Sequence, residues 1–282
     1  SIYAIIALGY TMVYGIAKML NFAHGDVIMV GGYMCFFAMG SFSLPPMAGV
    51  LLAVAVCTVL GIVIERLAYK PLRSAPSLAV LITAIGVSYL LQNSAQILWG
   101  AATKTFTSIV GTSENSSLEL IPGQLSISYV AILSIVCCAV VMVALTLFTG
   151  KTRLGKAMRA CSEDKAAAQL MGINVDVTIS MTFAIGSALA AIAGVLMCSA
   201  YPVLSPTIGS MPGIRAFTAA VFGGIGSIPG ALLGGILLGV IETFAKAYIS
   251  TDLSDAVVFA VLIIVLLVKP AGLLGKYVPE KV

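Results

Sequence analysis

Charged side chains are scarce in this sequence. Only 9% of its 282 residues are Asp, Glu, Lys or Arg, whereas 60% are hydrophobic. A soluble domain of average composition carries about 25% charged residues, so this chain has too little charge to cover a surface in water. Intrinsic disorder is excluded as well, because disordered chains are polar and rich in charge. The composition and the mean hydropathy of +1.10 therefore predict an all-α, polytopic membrane protein.

Several catalytic and ligand-binding signatures are also missing. The single histidine, His24, cannot build a multi-histidine metal site. The phosphate-binding pattern G-x-x-x-x-G-K-[ST] is absent, and Ser227 lacks the G-x-S-x-G context of a serine hydrolase. None of the six cysteines has a C-x-x-C partner, which favours small buried side chains over metal ligands. We therefore expect no catalytic residue, metal or cofactor in this chain, and no nucleic-acid partner.

Long apolar runs divide the chain into membrane segments. Because a span needs about 20 residues, the charge-free run 27–64 holds two helices, and Pro45-Pro46 divides them. A break at 226–230 splits the run 216–247 into two short helices or a re-entrant pair. We expect about eight transmembrane or re-entrant helical segments in a single domain, 1–282. The runs are 2–17, 27–64, 77–98, 129–148, 178–200, 216–247 and 256–268.

Basic residues are distributed unevenly between the two ends of these segments. Lys18, the charged loop 65–73, the loop 150–177 and the C-terminal tail contain all but three of the 15 Lys and Arg residues. By the positive-inside rule, these parts of the chain face the cytosol. The polar loop 101–128 then lies outside. The basic residues left for the external side are Lys104, Arg215 and Lys246.

A short helix is predicted inside the cytosolic loop, over 163–171. Ser162 is a good N-cap, and Glu163 and Asp164 then lie in the first turn, where the helix dipole favours negative charge. Gly172 suits the left-handed position that follows a helix. A helix of about nine residues is marginally stable alone in water, so this one needs support.

The predicted helix has an apolar face. Ala167, Leu170 and Met171 share that face at spacing i, i+3 and i+4. Such a face needs a cover, so we expect the helix to dock on its own membrane domain or on a cytosolic partner. The alternative interpretation is a solvated loop helix.

Asn21, His24 and Asp26 form a polar group between two apolar runs. Ionisable residues near a membrane are costly and often functional, so these three are candidates for a pathway or gate. The alternative is a hydrated turn at the interface, in which His24 and Asp26 cap the next helix. Elsewhere, Glu242 and Lys246 lie four residues apart and can pair on one helix face.

Glycines recur every four residues at Gly226, Gly230 and Gly234. Small residues at this spacing let helices approach closely, so the first interpretation is helix packing. The functional alternative is a thin, mobile gate at Gly226 and Gly230. The same spacing recurs at Gly186, Ala190 and Gly194.

Five stretches give the sequence a specific resemblance. They are 7–15 (ALGYTMVYG), 21–26 (NFAHGD), 65–73 (ERLAYKPLR), 161–174 and 216–230 (AFTAAVFGGIGSIPG). Over nearly its whole length the chain resembles the permeases of branched-chain amino acid ABC transporters, of the high-affinity "H" subunit type. Members of that family usually have further residues before the point where Ser1 lies, so we expect this chain to be N-terminally short.

The resemblance implies a transport subunit without catalytic activity, in a bacterial cytoplasmic (inner) membrane. Its implied partners are a second homologous permease, two cytosolic ATPase subunits that bind the ATP, and a periplasmic amino-acid-binding protein. It also implies a coupling helix that contacts the ATPase, marked in related importers by E-A-A-x-x-x-G. The matching or neighbouring residues here are Ser162, Glu163, Asp164, Ala166, Ala167, Ala168, Leu170, Met171 and Gly172, with Ala166 in place of the Glu.

The mechanism that the resemblance implies is alternating access. The sequence shows no fixed pair of charges for the ammonium and carboxylate groups of an amino acid, so we expect a low-affinity pathway with selectivity in the binding protein. The alternative function is an ion-coupled secondary amino acid transporter, which would use broken helices near the membrane centre. The spacing of the coupling helix argues against that alternative.

Overall fold

A computed structural model of the chain describes residues 1–73, 75–110, 117–121 and 125–275. Within these residues the fold is α-helical, as predicted, with two small antiparallel strand pairs. The helices are α1 Ile2–Ala17, α2 His24–Gly40, α3 Pro46–Ile64, α4 Ser77–Trp99, α5 Tyr129–Lys151, α6 Arg153–Glu163, α7 Lys165–Leu170, α8 Val175–Ala200, α9 Ser210–Gly223, α10 Ile228–Tyr248 and α11 Ser254–Val268. The strands are β1 Lys104–Thr105, β2 Ser117–Ile121, β3 Leu125–Ser128 and β4 Val203–Leu204.

The predicted helix breaks occur where proline and glycine interrupt the pattern. Pro45 is extended and starts α3, so the long run 27–64 divides as expected. Ser227 caps α10 by accepting a hydrogen bond from the N–H of Gly230 at 3.2 Å. Gly226 has a φ of +88°, a backbone conformation that residues with a Cβ rarely adopt. The helix before this break, α9, begins at Ser210, earlier than the predicted 216.

Helix α8 lies at the centre of the bundle, packed against α1, α2 and α3. Of the residues in its most apolar window, 78% are buried, against 17% for α4 at the periphery. Close packing depends on small residues, since a Cβ on Gly194 would overlap the carbonyl oxygen of Ile28. The packing interpretation of the small-residue spacing is therefore confirmed on α8.

The same order of elements occurs twice along the chain. Helix α1 is followed by an irregular segment, 18–23, and then by α2 and α3; α8 is followed by 201–209, α9 and α10. The beginnings of α2 and α9 meet inside the bundle, where a Cβ on Gly25 would overlap the backbone of Gly209. Irregular backbone at this depth is tolerated because other protein segments surround it.

Five helices among the described residues are long and apolar enough to cross a membrane: α3, α4, α5, α8 and α10. Helices α1 and α11 are apolar but shorter, at 16 and 15 residues. A polytopic membrane protein is therefore confirmed, whereas helix length does not establish the expected count of about eight segments. Two basic residues of the predicted cytosolic tail, Lys276 and Lys281, lie outside the described residues.

Two contacts join segments at the helix ends. On the predicted cytosolic side, Lys165 Nζ donates a hydrogen bond to the carbonyl oxygen of Ala17 at 2.7 Å. On the opposite side, β1, at the start of the predicted external loop, pairs with β4. The loop 65–73 differs from the prediction, because it continues helix α3 as a π-helical turn, Glu65–Tyr69, and a 3-10 turn, Lys70–Leu72.

Candidate functional site

A short helix lies within the stretch 163–171, but it starts later than predicted. Helix α6 extends through Ser162 and Glu163, so neither residue begins a new helix. The N-cap of α7 is Asp164, whose side chain accepts hydrogen bonds from the N–H groups of Ala166 and Ala167 at 2.8 and 3.0 Å. Ser162 as the N-cap was therefore wrong, and α7 has six residues. Asp164 caps better here because its backbone is extended, as an N-cap requires.

Two features fix α7 to the rest of the protein. Ala168 is buried, and Lys165 joins α7 to the end of α1. Gly172 has a φ of +83°, as predicted, and the N–H of Ile173 returns to the carbonyl of Ala168 at 3.1 Å, which closes the helix end. Burial lowers the pKa of the Lys165 ammonium, and the nearby charge of Arg73 lowers it further.

The apolar face of α7 is exposed. Leu170 is 89% and Met171 83% accessible, and Ala167 is exposed beside them. The sequence predicted that this face docks either on the membrane domain of this chain or on a cytosolic partner. Among the described residues, the membrane domain does not cover these side chains. The surface formed by Ala167, Leu170 and Met171, called the α7 face below, is a small apolar patch at the tip of a fixed helix.

Asn21, His24 and Asp26 are buried inside the bundle, so their interpretation as a hydrated turn was wrong. Asn21 accepts a hydrogen bond from the hydroxyl of Tyr69 at 2.9 Å. His24 packs edge-on to the ring of Tyr10, with ring centroids 5.8 Å apart. The turn is buried because 18–23 returns into the bundle after α1, which apolar periodicity alone does not reveal.

Asp26 lies where the beginnings of α2 and α9 meet. Gln92 of α4 donates a hydrogen bond to Asp26 Oδ1 at 2.9 Å and lies 3.1 Å from the hydroxyl of Ser210, the first residue of α9. These bonds connect three helices around a buried carboxylate. The arrangement holds the two helix ends together. A role of Asn21, His24 and Asp26 in a transport pathway stays a prediction.

The other pathway candidates, Gly226 and Gly230, are packing positions. A Cβ on Gly15 would lie 2.9 Å from Gly226 Cα, and a Cβ on Gly230 would lie 2.5 Å from the carbonyl oxygen of Gly223. Both contacts hold the break between α9 and α10 against its neighbours. They lie beside a cavity of about 370 Å³ on the predicted cytosolic side, lined also by Thr11, Thr149 and Arg159.

Two clusters of charged residues lie at opposite ends of the bundle. The cytosolic cluster, which like the external cluster is named for its predicted side, comprises Glu65, Lys70, Arg73 and Asp176. Glu65 is completely buried, pairs with Arg73 and accepts a hydrogen bond from Ser180 at 2.5 Å. The predicted short charged loop was therefore wrong at Glu65, because an arginine and a hydroxyl compensate for its burial.

The external cluster comprises Arg215, Glu242, Lys246 and Asp255. Glu242 Oε1 accepts hydrogen bonds from Lys246 Nζ at 2.5 Å and from Arg215 Nη1 at 2.8 Å. Arg215 Nη2 lies 2.5 Å from Asp255 Oδ1. The predicted Glu242–Lys246 pair is confirmed. Sequence reasoning missed Arg215 and Asp255, because they lie on other helices and only the fold brings them together.

A cavity of about 1000 Å³ opens beside the external cluster. Its lining residues include the charged Arg215, Glu242 and Lys246 and the apolar Ile208 and Val240. Charged residues of both signs and apolar residues therefore line the same cavity. The low-affinity pathway expected from the sequence stays a prediction.

Comparisons with known proteins agree on one kind of protein. The family described as the permease component of branched-chain amino acid transport systems matches residues 1–266. The chain is 47% identical to the high-affinity branched-chain amino acid transport system permease protein LivH of Salmonella typhimurium, over all of this chain and 94% of LivH. It is 47% identical, with the same coverage, to the corresponding protein BraD of Pseudomonas aeruginosa. No solved structure matches this chain.

Proposed function

Because the chain belongs to the family of branched-chain amino acid permease components, a family of transport subunits in the cytoplasmic membrane, we propose how it works. It is the transmembrane subunit of an ATP-driven, binding-protein-dependent importer for branched-chain amino acids. Its partners are a second homologous permease, two cytosolic ATPase subunits that bind the ATP, and a periplasmic amino-acid-binding protein.

The observation that carries this proposal is the exposed α7 face. Two large apolar side chains, Leu170 and Met171, lie almost entirely in solvent on a helix outside the bundle. Burying one such side chain against a partner is worth about 1.5–3 kcal/mol. A helix tip with this face fits a groove on a cytosolic subunit, which supports the role of α7 as the coupling helix.

The attachments of α7 explain how a partner moves the membrane helices. Lys165 connects α7 to the end of α1, and Ile173 leads directly into α8. Since α8 lies at the centre of the bundle, a displacement of α7 reaches helices on both sides of it. ATP inside and loaded binding protein outside then bias the same equilibrium between two conformations, and their effects on each other's binding are reciprocal.

The test is co-purification of this chain, tagged and expressed in its native cells, with mass spectrometry of the accompanying proteins. We expect ATPase subunits in fixed ratio with the unmodified chain. Replacing both apolar residues, Leu170→Glu and Met171→Glu, removes the apolar contact and places charge in the groove, so the ATPases should be lost. The matched control, Gln169→Glu, adds charge to the same helix away from the α7 face and should retain them.

Retention of the ATPases by the double variant would show that α7 is not the coupling helix. A chain that purifies alone in every case would contradict the importer itself. The rival function, an ion-coupled secondary transporter, draws support from the buried Asp26 beside the meeting ends of α2 and α9, which resembles a coupling-ion position. It requires no ATPase, so the same purification separates the two functions.

A further inference from the structure

The cavity beside the external cluster is lined in two distinct ways. Arg215, Glu242 and Lys246 are its charged lining residues, and most of the other lining residues are apolar, Ile208, Ile236 and Val240 among them. Small-molecule sites in proteins are commonly 300–1000 Å³, mostly apolar, with a few converging polar groups. At about 1000 Å³, this cavity lies at the upper end of that range.

The charges of the external cluster are balanced. Two cations, Arg215 and Lys246, face two anions, Glu242 and Asp255, and the guanidinium of Arg215 contacts both anions. All the described hydrogen bonds to the Glu242 carboxylate end on Oε1. A ligand with one positive and one negative group can exchange partners with such a cluster without leaving a net charge buried.

We propose that this cavity binds the transported amino acid as a zwitterion. The carboxylate of the amino acid contacts Arg215 and Lys246, and its ammonium group contacts Glu242. The branched aliphatic side chain lies against the apolar lining residues Ile208 and Val240. This site rests on the proposed function for its substrate class, and it adds a binding step within the permease to selection by the binding protein.

A lipid headgroup has the same chemistry as the amino acid. Phosphatidylethanolamine also carries one ammonium and one anionic group, and the cavity opens beside membrane helices. The two sources differ in a simple way, because an amino acid competes from water while a lipid is present according to membrane composition. The test therefore varies both the leucine concentration and the phosphatidylethanolamine content of the membrane.

The experiment uses the complete transporter in lipid nanodiscs and a cysteine placed in the cavity. Thr243 is exposed, lines the cavity and follows Glu242 directly, so Thr243→Cys reports access to the site. The reaction of this thiol with a maleimide is timed at increasing leucine concentrations. A ligand that covers the thiol slows the reaction by the factor 1 + [L]/Kd, about elevenfold at ten times Kd. The unmodified chain gives the background of its native cysteines.

Two leucine analogues test the charges of the site. 4-Methylpentanoate lacks the ammonium group, and 3-methylbutylamine lacks the carboxylate; neither should protect Thr243→Cys at concentrations where leucine does. Glycine, without an aliphatic side chain, should protect less than leucine. Equal protection by leucine and all three of these compounds, or no protection by leucine itself, would overturn the zwitterion site.

Variants of the cluster give the second readout. Glu242→Gln and Lys246→Gln should each reduce protection by leucine. Lys246 is 41% exposed, so its variant is expected to fold even where the variant of the buried Glu242 does not. The matched control is Asp252→Asn, which removes an exposed carboxylate near Asp255 but outside the cluster and should keep full protection.

The remaining outcomes distinguish the alternatives. Protection that depends on phosphatidylethanolamine and not on leucine would assign the cavity to lipid. A thiol that never reacts in the complex would mean that another subunit covers it, which also overturns the proposal. ATP-driven leucine uptake is measured on the same preparations, so intact uptake without leucine protection would refute this site and leave the proposed function standing. Leucine protection without ATP-driven uptake would refute the proposed function instead.

Discussion

The cytosolic and external clusters contain the same four types of charged residue in different surroundings. Each has one Glu, one Asp, one Arg and one Lys, and in each the Arg connects the two acids. In the cytosolic cluster, Lys70 pairs with the half-exposed Asp176, and Ser180 completes the environment of Glu65. In the external cluster, Lys246 pairs with the buried Glu242, beside an open cavity.

The comparison shows how the same charges can serve different purposes. Around Glu65, the hydrogen bond from Ser180 and the Arg73–Asp176 pair join the segment that follows α3 to α8, so the cluster works as a fixed connection. Around Glu242, the contacts join α9, α10 and α11, and one side remains open to a ligand. Substitutions at matched positions therefore test whether the two clusters differ in stability as described.

The largest effect is expected at the cytosolic cluster. Glu65→Gln removes the completely buried partner of Arg73, which is 15% exposed and keeps only the half-exposed Asp176. Breaking a buried pair on one side costs about 3 kcal/mol, and thermal unfolding of the purified protein in detergent measures the loss. A loss below about 1 kcal/mol would mean that the two clusters do not differ as described.

A smaller effect on unfolding is expected at the external cluster. Glu242→Gln leaves Arg215 paired with Asp255 and Lys246 free to reach solvent. Loss of hydrogen bonds to a charged group then costs about 2 kcal/mol. The same unfolding measurement, made side by side with Glu65→Gln, should rank the two variants in this order; the reverse order would contradict the account.

The smallest effects are expected at the two aspartates. The side chain of Asp176 is 52% exposed and that of Asp255 32% exposed, so Asp176→Asn and Asp255→Asn should each cost less than about 1 kcal/mol. Raising the salt concentration to 1 M should reduce both costs, because exposed charges are screened over about 3 Å there. Equal losses at low and high salt would show that these pairs are shielded from solvent.

Local signals in the sequence predicted much of the fold. Tandem proline at Pro45-Pro46 divides two helices, the run 2–17 became α1, and Gly172 adopts the left-handed conformation that ends α7. The Glu242–Lys246 pair followed from helical spacing alone. Each of these features depends on neighbours within a few residues, which a single sequence displays.

Features that depend on distant contacts were not predictable in the same way. Glu65 reads as part of a charged loop until Arg73 and Ser180 are seen to surround it. The irregular segment 18–23 carries Asn21 back into the bundle, where Tyr69 binds it. The cluster around Arg215 draws on three helices that are separated in the chain. The cavity beside it, and hence the proposed substrate site, required the fold.

The proposed function requires that amino acid transport through this chain uses energy from ATP. The most direct measurement is leucine uptake into vesicles that contain the purified complex, with binding protein outside and ATP inside. The account predicts uptake that requires both, and no uptake when an ion gradient is the sole energy source. Leucine uptake driven by an ion gradient without ATP would contradict the account and establish the secondary transporter.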